Sequence, residues 1–312
     1  MKVLVIGAGL IGLEYMRILN DLNVQFESVC RSKERAQRVK EETGIDIISG
    51  GVEQMGERLH KFSHFIVATD VESSFEITSF LLKNKCSHLL LEKPGTSSID
   101  QFLKLYLDYS DSFSNVFLAY NRRNYSSVLK AKELAESDGG VLSCHFDFTE
   151  WTHVIEAMNK PKFQLKNWFF GNSTHVIDTA FFIIGKPQKL NPISIGELSW
   201  HKPSIFVGSG ITKNNVVFSY HSNWQSAGRW SIEVKTRNRA LRLMPMEQLF
   251  EQKIGTLTWE PIEINNEKDI SYKPGFYKQV VEFLFEPNPN LKAFKEQYED
   301  LEIYSEIVGT VE

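Results

Sequence analysis

Val3-Leu4-Val5-Ile6 runs directly into Gly7-Ala8-Gly9-Leu10-Ile11-Gly12, and this stretch constrains the fold more than any other. Four consecutive apolar residues offer water no polar face. A strand here must therefore be covered on both sides, as in a parallel sheet flanked by helices. The glycines fall where a strand-to-helix turn needs them. Gly7 can adopt dihedrals closed to other residues, Gly9 removes the Cβ that would block a phosphate, and Gly12 lets the new helix lie close to its strand. A helix over roughly 10–22 would present unpaired N–H groups to an anion at its start. The spacing is that of a dinucleotide pyrophosphate site, with a tight turn that binds nothing as the rival reading.

A chain of 312 residues is long enough for two domains, each with its own core. A net charge of −4 gives no electrostatic reason to expect nucleic acid. No basic segment precedes an apolar run and cleavage site at the N-terminus, so the expected location is cytoplasmic. The apolar stretch Ala180-Phe181-Phe182-Ile183-Ile184 is too short for a bilayer, and no membrane partner is expected. Cys30, Cys86 and Cys144 are odd in number and widely separated, which suits a reducing compartment and gives no metal-ligand spacing. No metal is expected.

Up to about residue 121 short apolar strands alternate with helices, the pattern of a doubly wound parallel sheet. Strands are expected over 24–29, 45–48, 65–68, 88–91 and 116–119. Ser32 caps a helix over 33–43 that Gly44 stops, and further helices cover 75–85 and 99–109. The rhythm then changes. After a helix over 127–136, residues 141–150 alternate, with Cys144, Phe146 and Phe148 on one face and His145, Asp147 and Thr149 on the other. Similar runs at 192–198, 215–223, 230–236, 240–244 and 255–264 suggest a largely antiparallel sheet, covered on one face by helices over 175–184 and 275–285. Residues 291–308 have the spacing of a packed terminal helix. The expected fold is α/β: a Rossmann doubly wound parallel sheet over 1–121 and, over 122–312, an α/β domain on a largely antiparallel open sheet. The terminal helix is placed against the first domain.

Four segments together carry a family resemblance: Gly7-Ala8-Gly9-Leu10-Ile11-Gly12, Glu92-Lys93-Pro94, Tyr120-Asn121-Arg122-Arg123 and His175-Val176-Ile177-Asp178. The chain resembles the Gfo/Idh/MocA family of dinucleotide-dependent oxidoreductases. The resemblance implies a substrate, usually a sugar, sugar derivative or other polyol, lying against the nicotinamide between two domains, and it assigns the second, over 122–312, to substrate binding and oligomerisation. It also implies a cis Lys93-Pro94 bond, an oligomer (homodimer or homotetramer), and Lys93 and His175 as the catalytic pair. Lys93 can offer its ammonium to a substrate hydroxyl, and His175 can exchange the proton of that hydroxyl. A solvated turn lysine and a hydrogen-bonded core histidine are the structural alternatives.

Cofactor contacts are expected from Gly7, Gly9, Leu10, Ile11, Gly12, Ala68, Thr69, Glu92 and Lys93, Glu92 being weighed as structural. At the end of the second strand, where NAD-specific domains place an acid, the sequence reads Cys30-Arg31-Ser32, with Arg35 following. Cysteine does not repel a 2′-phosphate, and Arg31, Ser32 and Arg35 can bind one, so NADP is expected over NAD. Tyr120, Arg122, Arg123, Trp168, Asn172, Thr174 and Asp178 join His175 as substrate-site candidates, with one arginine suited to a carboxylate or phosphate; ion pairing within the protein competes with that role.

The chain departs from the family pattern in two places. The usual aspartate four residues before the histidine, and the glycine two before it, are here Gly171 and Ser173, and the Thr-Pro-Asn expected after one strand reads Thr69-Asp70-Val71. The expected activity is hydride transfer at a carbonyl or alcohol carbon of a sugar, amino sugar or nucleotide-linked sugar. Reduction of a non-sugar carbonyl or unsaturated compound, and an inactive dinucleotide sensor, are the alternatives.

Overall fold

The computed structural model describes residues 1–309. The chain divides into two compact units, Met1–Tyr120 with Phe276–Glu299, and Asn121–Gly275 with the segment from Asp300 onward.

The first unit is built on seven strands. In chain order these are β1 (Val3–Ile6), β2 (Phe26–Cys30), β3 (Ile47–Ser49), β4 (His64–Val67), β5 (Leu89–Leu91), β6 (Val116–Leu118) and a short return strand near the C-terminus, Lys292–Ala293. The spatial order is the return strand, β6, β5, β4, β1, β2, β3, with all pairs parallel except that of the return strand with β6. Val3, Leu4, Val5 and Leu89–Leu91 have no exposed surface, as uninterrupted apolar strands in a sheet covered on both faces require. Helices α1 (Leu10–Asp21), α2 (Lys33–Thr43), α3 (Val71–Lys83) and α4 (Ile99–Asp108) supply the cover. The Ser32 hydroxyl accepts from the Arg35 N–H, and Gly44 ends α2 in the left-handed region at φ +75°. Asp70 caps α3 by accepting from both the N–H and the hydroxyl of Ser73, so the departure from the family pattern at this position leaves a well-formed helix start worth about 1 kcal/mol.

The second unit begins with α5 (Ser126–Ser137), β7 (Ser143–Asp147), α6 (Thr152–Ala157), α7 (Lys162–Lys166) and α8 (Thr174–Ile184). Seven more strands follow: β8 (Pro187–Ile195), β9 (Ile205–Thr212), β10 (Val217–Asn223), β11 (Ser231–Lys235), β12 (Arg239–Leu243), β13 (Phe250–Lys253) and β14 (Glu260–Pro261). They form an eight-stranded open sheet ordered β14, β13, β12, β11, β7, β10, β9, β8, antiparallel except for the β7–β10 pair. Helix α8 lies on β7 and β11, its Phe181 meeting Phe146 edge-on at 5.7 Å. Away from this core, Ile193 and Ile195 of β8 and Val207 of β9 form an exposed apolar patch.

Strands β9 and β13 were not expected. In β9, Gly208 and Gly210 interrupt the apolar pattern because their cross-strand partners are Tyr220 and Phe218. A Cβ at Gly208 would come within 2.4 Å of the Tyr220 ring, and one at Gly210 within 2.6 Å of the Phe218 ring.

The helix expected over 275–285 forms, but it belongs to the first unit and not to the antiparallel sheet it was expected to cover. After α9 (Glu267–Ser271), helix α10 (Phe276–Phe285) returns to the first unit and packs on α1, with Phe276 stacked on Tyr15 at 5.0 Å. The return strand β15 (Lys292–Ala293) follows, and then α11 (Phe294–Val308), whose Phe294 and Tyr298 stack on Phe102 and Tyr106 at 4.1 and 3.8 Å. Among the described residues no helix is long and apolar enough to cross a membrane.

Candidate active site

Strands β2 and β3 lie on one side of β1, and β4, β5 and β6 on the other, so the order reverses between β1 and β4. Ligands of open α/β sheets bind outside the carboxyl ends of strands at such a switch point. A cavity of about 370 Å³ occupies this place, lined by Gly7, Ala8 and Gly9 after β1, Cys30, Arg31, Ser32 and Arg35 after β2, and Ala68, Thr69 and Asp70 after β4.

The three glycines are separated by function. Gly7 has φ +114°, and a Cβ there would lie 2.3 Å from the Ala68 carbonyl oxygen; a Cβ on Gly12 would lie 2.1 Å from the Gly7 carbonyl oxygen. These two are demanded by close backbone packing. Gly9 has open space around its absent Cβ and precedes α1 with ordinary extended dihedrals. Its lack of a side chain serves the cavity. Leu10 and Ile11 form the first turn of α1 beside it, where no side chain caps the helix. The buried hydroxyl of Thr69 has no hydrogen-bond partner among the described residues. An open glycine, an uncapped helix start and an unpartnered hydroxyl fit a dinucleotide pyrophosphate.

At the rim, the Arg35 Nε donates to the Ala8 carbonyl oxygen at 2.7 Å and ties α2 to the glycine turn. The Cys30 thiol donates to the Ser32 carbonyl oxygen at 3.2 Å, and burial raises its pKa, which keeps it uncharged. Glu53, which the sequence reading did not single out, also lines this cavity.

Glu92 and Lys93 follow β5. Glu92 Oε1 accepts from the buried Tyr15 hydroxyl at 2.7 Å, and Gln279 donates to the same hydroxyl at 2.9 Å. Lys93 is partly buried and precedes Pro94 through a cis peptide bond. The Ser74 hydroxyl donates to the Gly95 carbonyl oxygen at 2.6 Å, anchoring this loop to α3. Tyr120 is buried in the same unit, its hydroxyl accepting from Gln297 at 3.1 Å.

The second unit holds the remaining candidates. His175, 4 % exposed, lies in the first turn of α8 with its ring 6.2 Å from that of Trp230. A π-helical turn over Phe169–Ser173 leads into α8, with the Thr174 N–H donating to the Phe169 carbonyl oxygen five residues back. One extra residue per turn rotates the side chains relative to an ordinary helix. Asn172 and Ser173 consequently both donate to Glu150 Oε1, at 3.0 and 2.7 Å, while a Cβ at Gly171 would meet open space. The Thr174 hydroxyl donates to the Phe170 carbonyl oxygen at 2.8 Å.

Glu150 is almost fully buried, and desolvation pushes its pKa up against the opposing pull of Ser173, Arg229, Asn172 and Trp168. Arg229 reaches its other oxygen at 3.4 Å. Arg123 and Asp178 form a buried pair, whereas Arg122 stacks over the Trp230 ring at 4.5 Å.

Residues 1–108 match the model of the oxidoreductase family with an NAD-binding Rossmann fold known as Gfo/Idh/MocA. Over these residues the chain is similar to the Gfo/Idh/MocA family. Solved structures share the fold along the whole chain. A dehydrogenase from Clostridium difficile is 18 % identical, with a TM-score of 0.78 over 100 % of this chain and 99 % of that one. UDP-N-acetylglucosamine 3-dehydrogenase from Acidithiobacillus ferrooxidans is 13 % identical, with a TM-score of 0.72 over 98 % and 96 %. A levoglucosan dehydrogenase in complex with NADH and L-sorbose is 16 % identical, with a TM-score of 0.75 over 99 % and 95 %. No curated protein matches.

A dinucleotide, NAD or NADP, is the cofactor the first unit is built for. Sequence reasoning missed Glu150 and Arg229. Glu150 lies three residues past the end of β7, and an acid ending the alternating run 141–150 was the available signal.

Proposed function

We propose that this protein is an NADP-preferring oxidoreductase that interconverts a carbonyl and an alcohol on a sugar or sugar derivative. The observation that carries the reading is the glycine-lined cavity at the β1–β4 switch point, with a neutral Cys30 and the donors Arg31, Ser32 and Arg35 after β2. Bound there, the nicotinamide would donate or accept the hydride. Lys93 would polarise the substrate oxygen, and His175 would hold or return its proton; the reading requires both to reach one oxygen-bearing carbon.

The remaining proposed roles follow from surroundings. Glu92, held by Tyr15, fixes the start of the loop that carries Lys93. Asp178 and Arg123 fix α8 and with it His175. Asn172 and Trp168 frame the substrate beside Glu150. Amino and nucleotide-linked sugars are favoured substrates within this reading, and the UDP-N-acetylglucosamine and levoglucosan dehydrogenases that share the fold support a sugar. The exposed patch of Ile193, Ile195 and Val207 is the proposed homodimer or homotetramer face.

Glu53 favours a second cofactor reading, because a carboxylate lining the cavity can accept from a ribose 2′-hydroxyl and repel a 2′-phosphate. Titration with NADPH, NADP, NADH and NAD separates the two. Tighter binding of the phosphorylated forms is expected, and equal or weaker binding would overturn the NADP preference. Lys93→Met should abolish turnover with cofactor affinity retained. Substantial residual activity would remove Lys93 from the chemistry.

A further inference from the structure

We propose that Arg122 and Arg229 form a receptor for a carboxylate or phosphate on the substrate, which makes the substrate an anionic sugar. The inference rests on the oxidoreductase reading above only for the identity of the ligand as substrate. The receptor itself is argued from the second unit alone.

The adjacent arginines 122 and 123 have opposite surroundings. Arg123 spends its guanidinium on both oxygens of Asp178. Arg122 donates no hydrogen bond to any described residue, and its Nε is buried without an acceptor. A guanidinium carries five N–H donors, and withdrawing one from water without an acceptor is costly. Burial accordingly lowers the Arg122 pKa, and the neighbouring Arg229 lowers it further.

Arg122 is held by aromatic faces instead, at 4.5 Å from the Trp230 centroid and 5.8 Å from that of Tyr125. Arg229 lies over the same Trp230 ring at 4.4 Å and over Trp151 at 4.6 Å. Stacking fixes the plane of a guanidinium and leaves its N–H edge available for a flat or tetrahedral anion.

The protein's own compensation is incomplete. Glu150 is the carboxylate in contact with either arginine, through one long 3.4 Å approach to Arg229, and its other oxygen is already taken by Ser173 and Asn172. Glu247 acts on Arg122 through charge alone. Two stacked cations thus share one contacting carboxylate, and a bound anion would balance the excess with charge-assisted hydrogen bonds. His175 faces the same Trp230 ring, which puts the anion site beside the proposed proton-transfer residue.

The test is calorimetric binding of glucuronate, glucose 6-phosphate and glucose to the full-length protein, with and without NADP. One ring is presented with a carboxylate, a phosphate or a neutral hydroxymethyl group, so the first two arms identify which anion is taken. The wild type is expected to bind at least one anionic sugar about tenfold more tightly than glucose. Arg122→Met should remove that preference, and Arg122→Lys should retain part of it; an unaltered melting temperature confirms folding. Equal affinity for charged and neutral sugars, absence of binding by both anions, or a preference that survives in Arg122→Met would each overturn the proposal. Because binding needs no turnover, an anion preference without hydride transfer to any substrate would defeat the oxidoreductase reading and leave the receptor standing. Turnover of a neutral sugar unchanged by Arg122→Met would do the reverse.

Discussion

Arg123 grips Asp178 with two hydrogen bonds, Nε to Oδ2 at 2.8 Å and Nη2 to Oδ1 at 2.7 Å, and both side chains are almost completely withdrawn from water. Removing one partner leaves the other charge buried and uncompensated, a loss of about 3–5 kcal/mol. Asp178→Ala and Arg123→Ala should each lower stability by roughly that amount in urea titrations, whereas Arg123→Met combined with Asp178→Leu should recover much of it. If either single variant melts with the wild type, the pair contributes no net stability.

Gly9 and Gly12 differ in what their missing side chains protect. A Cβ on Gly12 would lie 2.1 Å from the Gly7 carbonyl oxygen, backbone against backbone, so Gly12→Ala should destabilise by about 2 kcal/mol or more. Gly9 has extended dihedrals that alanine adopts freely and open space beyond. Gly9→Ala should keep the melting temperature within a few degrees while weakening dinucleotide binding about tenfold, because its methyl group occupies phosphate space. Parallel melting curves and cofactor titrations of the two variants check this; equal loss of stability in both would contradict it.

Local patterns made the first unit legible. Ser32 and Gly44 bound α2 by capping chemistry that acts within a few residues, and the apolar strands declare burial on both faces without reference to anything distant. The second sheet was harder to read because its pattern depends on cross-strand partners. Gly208 and Gly210 look like strand breakers until Tyr220 and Phe218 are set opposite them. The placement of α10 was illegible for a related reason: an amphipathic helix shows that it has an apolar face, and the Tyr15 ring that meets this one lies 261 residues earlier in the chain.

The candidate site divides along the same line. The glycine turn, Cys30-Arg31-Ser32 and Glu92-Lys93-Pro94 are contiguous and readable as motifs. The Glu150, Arg122 and Arg229 cluster is assembled from distant segments, so neither its single contacting carboxylate nor the different fates of Arg122 and Arg123 could be read from the chain. The π-helical turn before His175 adds to the difficulty, since it shifts which side chain faces Glu150 by one position.

His64 stands against His88 at 5.0 Å and against the edge of Phe283 at 5.3 Å. Desolvation, then the nearby His88 and the chain's amino terminus, lower its pKa to about 4. The unfolded chain, with a histidine pKa of about 6.5, binds the proton more readily than the folded one. The stability from keeping this ring neutral is present above about pH 6.5 and is lost as pH falls toward 4. His64→Gln should flatten the decline in melting temperature over that interval. A slope identical to the wild type would show that His64 does not titrate in the transition.

Glu150 shifts in the opposite sense. Burial raises its pKa, so the folded protein holds the proton more tightly than the unfolded chain, where a glutamate titrates near about 4.3. Its contribution to stability is therefore largest below that unfolded value and declines as pH rises through the folded one. Glu150→Gln preserves shape and the ability to accept from Ser173 and removes the titration. Relative to Glu150→Gln, the wild type should lose stability as pH rises from the unfolded value through the folded one. Urea titrations of both proteins at several pH values measure the difference directly. A wild type that gains stability over the variant as pH rises would mean that Arg229, Ser173 and Asn172 outweigh the desolvation and lower the Glu150 pKa below its unfolded value.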